Sequence, residues 1–421
     1  MKKAPLSGSA ATQLTGSRRL LVALILLLGI LPLVAFGICG VGRPAGGVIN
    51  VDGTSFFAAG RAWLQGRNPY SPEELALAVA GIEGVDVSTV PFFYPPQMSI
   101  FCLPLGLMSY PAARATWVGL NLLAALAMAA IAVRTLQEAN HGDKTRLGPW
   151  IVAAVVLGNP FTSHVVWMGQ TSLLAGAGLV GAWFFAERGK PVIAGILLGM
   201  ATFKPQLCLL LFIWFALERA YLVVIVGVAT SAVMSLYGMV VQGLLGVWTA
   251  WRAGVAAGYS HVIFNSPGFQ NKVGLESLLH GSGIPVPGAV LTVIGILLAV
   301  ALWWSRARVR TRDVFALLVV ITFVLIGFSH DYDFVCLVPL WIVSWQQASE
   351  RPRAATLLAA LNLLMFFPQR FLRPFQLPVL THWRTPVLLA LGIVVFALSV
   401  KLRASETKTK TKPEPEPEPV V

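Results

Sequence analysis

The stretch LLVALILLLGILPLVAFGICGVG, residues 20–42, decides the fold class because it contains no charged residue. At about 1.5 Å per residue, a helix of this length crosses a hydrocarbon core of about 30 Å. The run is too long for the core of a signal peptide, and no clear small-residue cleavage site follows it. Lys2, Lys3, Arg18 and Arg19 precede it, which predicts a retained first membrane helix with a cytoplasmic amino terminus.

The composition of the whole chain agrees with this assignment. Of 421 residues, 56% are hydrophobic and 12% are charged, and the mean hydropathy is +0.74. A soluble domain is about one quarter charged, so this balance excludes a large soluble protein. The net charge of +13 comes mainly from basic segments between apolar runs, such as 305–312, 350–353 and the tail from Lys401. This distribution indicates the positive-inside pattern and not a nucleic-acid surface.

The four cysteines are too widely spaced to indicate a disulfide framework. They are widely spaced within apolar runs, at Cys39, Cys102, Cys208 and Cys336. This spacing predicts neither a disulfide framework nor a metal site, and small buried side chains explain the cysteines better.

Further apolar runs predict an all-α polytopic membrane protein with about eleven to thirteen membrane helices. The predicted organisation is a cytoplasmic tail at 1–19, a transmembrane domain at 20–400 and a disordered cytoplasmic tail at 401–421. Two long polar intervals, 43–94 and 242–284, are expected outside, each with an interfacial helix. The Pro–Glu repeat at the carboxyl terminus forms neither a core nor a stable helix.

The order of the membrane crossings leaves two alternatives open. If 95–109 crosses fully, the basic segment 134–147 faces outside, against the positive-inside pattern. Either 95–109 is re-entrant, or 191–217 crosses once as a broken helix. We favour the re-entrant interpretation, because it also places 187–190 inside.

The first external segment contains the leading candidate for a catalytic group. Phe56, Trp63 and Leu64 recur at helical spacing after Asp52, which predicts a helix with one apolar face lying in the membrane interface. Asp52 is either a helix cap or a general base for an incoming hydroxyl, and the two interpretations are compatible.

A lysine inside an apolar run is the second candidate. Lys204 precedes Pro205, and a lysine at the centre of a bilayer costs about 2.5–3.5 kcal/mol. Pro205 breaks the helix and frees backbone groups for a polar cavity. The interpretations are a phosphate-binding lysine and a lysine that snorkels to the interface.

The segment GFSHDYDFVCLVPL, residues 327–340, places four polar groups between two apolar runs. These are His330, Asp331, Tyr332 and Asp333. Titratable residues framed in this way are functional candidates. A donor site, a proton relay and a plain polar turn all remain open.

The second external interval gives a weaker indication. Trp248 and Trp251 recur at helical spacing and predict a second interfacial helix. Asn265 and Lys272 follow, and they are candidates for lining a sugar or acceptor site.

The order of these motifs resembles glycosyltransferase family 87, which belongs to the GT-C superfamily. The motifs are Asp52, GRNPY at 66–70, FYPP at 93–96, GQT at 169–171, AG…ATFKP at 194–205 and SHDYD at 329–333. The resemblance covers roughly residues 20 to 400. In many relatives a Trp shortly precedes the His, and this chain departs from that pattern.

The resemblance implies a GT-C fold with its active site at the outer membrane face. It implies Asp52 as the catalytic base, with Lys204 and His330 near the donor phosphate. Arg61 is a further candidate for stabilising the departing phosphate, on the ground of its charge. The expected substrate-lining residues are Tyr70, Tyr94, Gln170, Asn265, Lys272, Asp331 and Tyr332. No metal site and no cofactor are expected.

The expected function is inverting transfer of one sugar, a mannose-like hexose or a pentose, from a polyprenyl-phosphate donor. The acceptor is a hydroxyl of a glycolipid or glycan at the periplasmic or extracellular side of a bacterial cytoplasmic membrane. The expected partners are the lipid-linked donor, the acceptor and membrane lipids, without nucleic acid. The alternatives are a transporter or flippase of lipid-linked sugars, with Lys204 and the His330 segment on its path, and a glycan polymerase or ligase.

Overall fold

The structure is a computed structural model of the chain. It describes residues 16–41, 51–87, 91–139, 147–261, 266, 268–269, 271–372, 375 and 377–410.

Helices dominate these residues. The first eight α-helices are α1 Gly16–Val41, α2 Val51–Leu64, α3 Pro72–Ala78, α4 Ser99–Gly106, α5 Tyr110–Ala139, α6 Gly148–Gly158, α7 Pro160–Met168 and α8 Ser172–Ala186. They are followed by α9 Pro191–Met200, α10 Pro205–Leu217, α11 Tyr221–Gln242, α12 Leu244–His261, α13 Leu275–Gly281 and α14 Gly288–Trp304. The last are α15 Thr311–Leu325, α16 Val338–Glu350, α17 Pro352–Met365, α18 Pro378–Thr381 and α19 Arg384–Lys410. Short 3₁₀ helices include Pro96–Met98, Ala201–Phe203 and Asp331–Leu337, and the strands are β1 Lys272–Val273 and β2 Ser329–His330.

The helical architecture confirms the predicted all-α polytopic membrane protein. Within the described ranges, 4 helical stretches are long and apolar enough to cross a membrane: Tyr110–Ala139, Gly148–Met168, Tyr221–Gln242 and Arg384–Thr407. Six further apolar helices have 10–17 residues. Several runs are broken by Pro or by 3₁₀ turns, and the predicted total of about eleven to thirteen membrane helices stays a prediction.

The direction of α9, α10 and α11 settles one of the two alternatives. Gly195 of α9 packs against Val223 and Val226 of α11, and Gly199 packs one turn further along against Gly227. The two helices therefore run parallel, so α10 between them must return through the bundle. This stretch does not cross the protein once as a broken helix.

The other alternative, the short apolar run at 95–109, forms the 3₁₀ turn Pro96–Met98 and α4. The 8 residues of α4 give a length of about 12 Å, well short of a hydrocarbon core of about 30 Å. This length agrees with the re-entrant interpretation.

The helix at the start of the first external segment differs from the expectation in its environment. The predicted helix forms as α2, but it is enclosed by protein instead of presenting one apolar face to the interface. Phe56 and Trp63 are both 0% exposed. Gly60 of α2 contacts Cys102 and Gly106 of α4, so small residues let the two backbones cross closely.

The predicted second interfacial helix forms as α12. The Trp248 and Trp251 rings lie 5.7 Å apart, edge to face. The Trp251 indole Nε1 donates to the carbonyl of Phe93 at 2.9 Å, which ties α12 to the first external segment.

The carboxyl-terminal helix is longer than the sequence predicts. Residues 401–410 continue α19 and are helical, although the disordered tail was expected to begin at 401. Lys and Glu favour helices, and the Arg403–Glu406 pair supports one more turn at 3.7 Å. Residues 411–421 lie outside the described ranges.

Ion pairs join the helix ends on one face of the bundle, which we call the basic face. These are Arg188–Glu138, Arg306–Glu218, Arg310–Glu350 and Arg310–Glu406. The candidate catalytic residues lie at the opposite helix ends, on what we call the site face.

Candidate functional site

A short strand pair joins the two parts of the chain that form the site face. Lys272 of β1 pairs with His330 of β2 in antiparallel register. The Asp331 N–H donates to the carbonyl of Asn271 at 2.8 Å. The Lys272 ammonium lies 5.1 Å from the centre of the Phe328 ring. Lys272, which was predicted to line the substrate site, therefore contacts residues 327–340. We call this stretch, which carries His330, the His segment.

Lys204 lies where α10 begins. Proline disfavours a helical conformation in the preceding residue, and Lys204 adopts φ −119° and ψ 74° before Pro205. The residue is 5% exposed. Its ammonium donates to Asp333 Oδ1 at 2.5 Å and to Ser172 Oγ at 2.8 Å.

Asp333 is the centre of this polar cluster. Its Oδ1 accepts from Ser172 Oγ at 2.6 Å, and its Oδ2 accepts from the His330 N–H at 3.0 Å. Burial raises the pKa of Asp333, but the charge of Lys204 and the hydrogen bonds outweigh it, so the net pKa is below the usual value. The lysine therefore has an ionised carboxylate as its partner.

Asp52 lies in the first turn of α2 and is part of a second hydrogen-bonded group. Its Oδ2 accepts from Gln170 Nε2, and Gln170 Oε1 accepts from the Tyr94 hydroxyl at 2.7 Å. Burial raises the pKa of Asp52 to about 6, although Lys204 and Gln170 both act to lower it. A half-buried carboxylate with this pKa is suited to general-base chemistry near neutral pH.

The turn between α7 and α8 connects the two groups. Gly169 ends α7 at φ 74°, a left-handed conformation that glycine adopts without strain. Its carbonyl accepts from the Trp117 indole at 2.6 Å. Gln170, which contacts Asp52, and Ser172, which contacts Lys204, follow directly. The turn that carries the GQT motif therefore brings the Asp52 carboxylate and the Lys204 ammonium into one site.

Aromatic rings cover one side of the cluster. The His330 and Tyr332 rings stack at 5.0 Å with an interplanar angle of 4°. The Lys204 ammonium lies 5.1 Å from the Tyr332 ring centre, and the His164 ring meets Tyr332 edge to face at 5.7 Å. His164 and Tyr332 are partly exposed, so they border the opening of the site.

A second buried ion pair, between Arg384 of α19 and Asp331, holds the His segment in place. Arg384 Nη1 donates to Asp331 Oδ2 at 2.9 Å. The same guanidinium donates to the carbonyls of Met365 and Phe367, at 3.3 and 3.1 Å. Asp331 is therefore held by α19, and its expected sugar-lining role stays a prediction.

Two of the predicted lining residues need separate comment. The Tyr70 hydroxyl donates to the carbonyl of Tyr94 at 3.1 Å, so Tyr70 supports the segment that carries Tyr94. Asn265 lies outside the described residues.

Arg61 is not brought to the cluster, in contrast to the prediction. It follows Asp52 by nine positions on one helix, and at about 100° per residue it points to the opposite side. Its Nε donates to the carbonyl of Ala78 at 3.4 Å, and it lines a separate cavity with Glu83.

Three residues that the structure places here were not candidates from the sequence: Ser172, His164 and Arg384. Asp333 was a candidate within the segment 327–340, but its contact with Lys204 was not predicted. Arg384 had a detectable signal, because it is a basic residue just before the apolar run 386–400, at the end opposite the basic tail from Lys401. Ser172 directly follows the GQT motif, but its partner lies 161 positions away in sequence.

In the portion of the chain that the structure covers, no group of three or more His, Cys, Asp or Glu side chains is arranged to hold a metal ion.

Comparison with known proteins identifies the family. The sequence profile described as Glycosyltransferase family 87 matches residues 92–329. This range includes Tyr94, Gln170 and Lys204, and it ends just before His330. Searches of the curated proteins and of the solved structures found no significant match.

Proposed function

The chain belongs to glycosyltransferase family 87, and we propose that it moves a single sugar from a polyprenyl-phosphate donor to a hydroxyl acceptor with inversion. The acceptor is a glycolipid or glycan hydroxyl at the outer face of a bacterial cytoplasmic membrane. The sugar is a mannose-like hexose or a pentose. Neither a metal nor a cofactor has a role in this proposal.

One observation carries the proposal: Asp52 and Lys204, which belong to motifs far apart in the sequence, lie in one site. Asp52 and Lys204 are close enough for the lysine charge to lower the pKa of the carboxyl group. Inverting transfer from a phosphate donor needs a base beside the acceptor and a cation beside the leaving group. The pair has this chemistry.

The proposed step balances as a direct displacement. The acceptor oxygen attacks the anomeric carbon and forms the new glycosidic bond. The bond between that carbon and the phosphate oxygen breaks, and its electron pair leaves with polyprenyl phosphate. Asp52 takes the hydroxyl proton, while Gln170 orients the Asp52 carboxylate through their hydrogen bond. The Tyr94 hydroxyl in turn orients the Gln170 amide.

Lys204 stabilises the departing phosphate in this proposal. Because the ammonium already contacts Asp333, the phosphate joins or displaces that carboxylate when the donor binds. The Ser172 hydroxyl is a second donor at the same place. The His330 side chain, stacked on Tyr332, completes the proposed phosphate surroundings.

The test is transfer by the purified chain in lipid vesicles, with a radiolabelled polyprenyl-phosphate sugar and a membrane glycolipid extract as acceptor. Asp52→Asn keeps the shape of the side chain and removes the base. We expect its transfer rate to fall by about 10²–10⁴-fold, while donor binding persists. A mass shift on the acceptor distinguishes transfer from flipping.

Glu73→Gln is the matched control, because it neutralises an exposed carboxylate on α3 in the same external segment. It should retain full transfer. If Asp52→Asn folds normally and transfers sugar at nearly the wild-type rate, Asp52 is not the base. If the wild type moves labelled donor across the vesicle membrane without a new glycosidic bond, the transfer proposal fails.

A further inference from the structure

A cavity of about 490 Å³ lies beside α2, apart from the Asp52 cluster. Phe57, Arg61, Ile82, Glu83 and Tyr110 are among the residues that line it. Its volume is within the range of small-molecule sites, about 300–1,000 Å³. The proposed transfer reaction makes no use of it.

The charges of this cavity are unusual because two opposite charges line it without pairing. Arg61 donates through Nε to the Ala78 carbonyl, and its guanidinium carbon lies 6.0 Å from the Phe57 ring centre. No ion pair joins Arg61 to Glu83 among the residues that the structure describes. Two unpaired opposite charges in one cavity suit a ligand that carries one negative and one positive group.

Exposed leucines adjoin the cavity-lining residues along the chain, and we call them the leucine rim; Leu77, for instance, precedes Ala78, whose carbonyl accepts from Arg61 Nε. Leu64 is 38% exposed, Leu77 57% and Leu107 75%. Leu64 follows Arg61 by less than one helical turn, and Leu107 adjoins Met108 of the cavity wall. In a membrane protein, exposed leucines around a charged cavity indicate contact with lipid chains.

The depth of the cavity agrees with a lipid headgroup. Tyr110 is the first residue of α5, whose other end carries the Glu138 ion pair of the basic face. The cavity therefore lies at the site-face end of a long membrane helix, where headgroups are found.

We propose that this cavity binds the headgroup of a zwitterionic aminophospholipid. The phosphate contacts the Arg61 guanidinium, the primary ammonium contacts the Glu83 carboxylate, and the acyl chains run over the leucine rim. A primary ammonium has N–H donors for Glu83, which the quaternary ammonium of phosphatidylcholine lacks. Phosphatidylglycerol offers Glu83 no cation.

The test is native mass spectrometry of the full-length chain in detergent, with phosphatidylethanolamine, phosphatidylcholine or phosphatidylglycerol added at equal concentration. We expect the wild type to bind phosphatidylethanolamine most tightly. Arg61→Met should weaken that binding by at least about tenfold, because a charge-assisted contact is lost. Glu83→Gln should abolish the preference over phosphatidylglycerol and leave the phosphate contact intact.

Arg67→Met is the matched control, since Arg67 is, like Arg61, a half-buried arginine and lies three positions beyond the carboxyl end of α2. It should bind lipid like the wild type. The Glu83 variant keeps the test valid if Arg61→Met fails to fold, because Glu83 is exposed. Equal binding of the three lipids by the wild type, or an unchanged preference in Glu83→Gln, would overturn the proposal.

Free phosphoethanolamine distinguishes a lipid from a soluble ligand. If it binds as tightly as phosphatidylethanolamine, the lipid assignment is wrong. The lipid measurement is independent of sugar transfer, and Asp52→Asn should show the wild-type preference. Failure of the transfer proposal would therefore leave this inference standing.

Discussion

At the residue scale, the site depends on the pKa of one carboxylate, Asp52, and on the groups that shift it. Burial acts on Asp52 to favour its neutral form, and the charge of Lys204 acts in the opposite direction. The outcome is a pKa of about 6. This value leaves most of Asp52 ionised at neutral pH and still basic enough to accept a proton.

The pH dependence of transfer follows from this pKa. In the proposed reaction only ionised Asp52 acts as a base, so kcat/KM should rise with pH below about 6 and level off above it. Lys204→Met removes the charge that lowers the pKa, and the midpoint should therefore move to higher pH. The measurement is kcat/KM against pH for both proteins. A midpoint unmoved by Lys204→Met would show that the lysine does not act on the base.

The sequence indicated Asp52 and Lys204 as candidates, because each is a charged residue beside or within an apolar run. Their partners could not be inferred in the same way. Asp333 contacts Lys204 across 129 positions, and Gln170 contacts Asp52 across 118. Such contacts depend on helix packing, which a single sequence does not determine. Arg61 was misassigned because its distance from Asp52 in sequence is short, while its direction on the helix is opposite.

At the element scale, the position of Asp52 depends on the crossing of α2 and α4. A Cβ on Gly60 would overlap the backbone of Cys102, and the backbone cannot move away as a side-chain tip can. The amphipathic spacing correctly predicted a helix here. It did not predict the enclosure of α2, because the apolar spacing does not show that α4 folds back to cover the helix.

Two glycine-to-alanine substitutions should distinguish the effect of backbone overlap at this crossing from the effect of helix propensity. Gly60→Ala should lower the stability by about 1–3 kcal/mol through overpacking, and it should reduce transfer because α2 carries Asp52. Gly119→Ala in α5 is the control, since a Cβ there meets nothing within 4 Å. It should be neutral or slightly stabilising. Thermal unfolding in detergent and a transfer assay measure both effects. Equal stability of the two variants would contradict the role of the crossing.

At the scale of the whole molecule, the two faces differ in charge chemistry. The basic face ties helix ends together with ion pairs, and Arg310 contacts both Glu350 and Glu406. The positive-inside pattern predicts that this face is cytoplasmic. Because α9 and α11 run parallel, α10 crosses back through the bundle between them. With a re-entrant α4, this order of crossings places the basic segments on the same side of the membrane.

Single cysteines test this orientation in intact cells. Arg308→Cys on the basic face should react with a membrane-impermeant maleimide only after the membrane is opened. Ser282→Cys, exposed at the end of α13, should react from outside without that treatment. The described native cysteines are buried, which keeps the background low. The reverse labelling pattern would invert the proposed orientation.

The turn at Lys204 has a consequence for the surrounding bilayer. The 10 residues of α9 and the 3 residues of the 3₁₀ helix extend about 20 Å together, against a hydrocarbon core of about 30 Å. In the proposed reaction the donor phosphate binds at this turn, deeper than the phosphates of neighbouring lipids, so that the lipid leaflet dips toward the protein. Such a dip costs less in a thin bilayer. Transfer should then be faster in vesicles of short-chain than of long-chain phosphatidylcholine, and the host membrane's thickness becomes a control on the enzyme's rate.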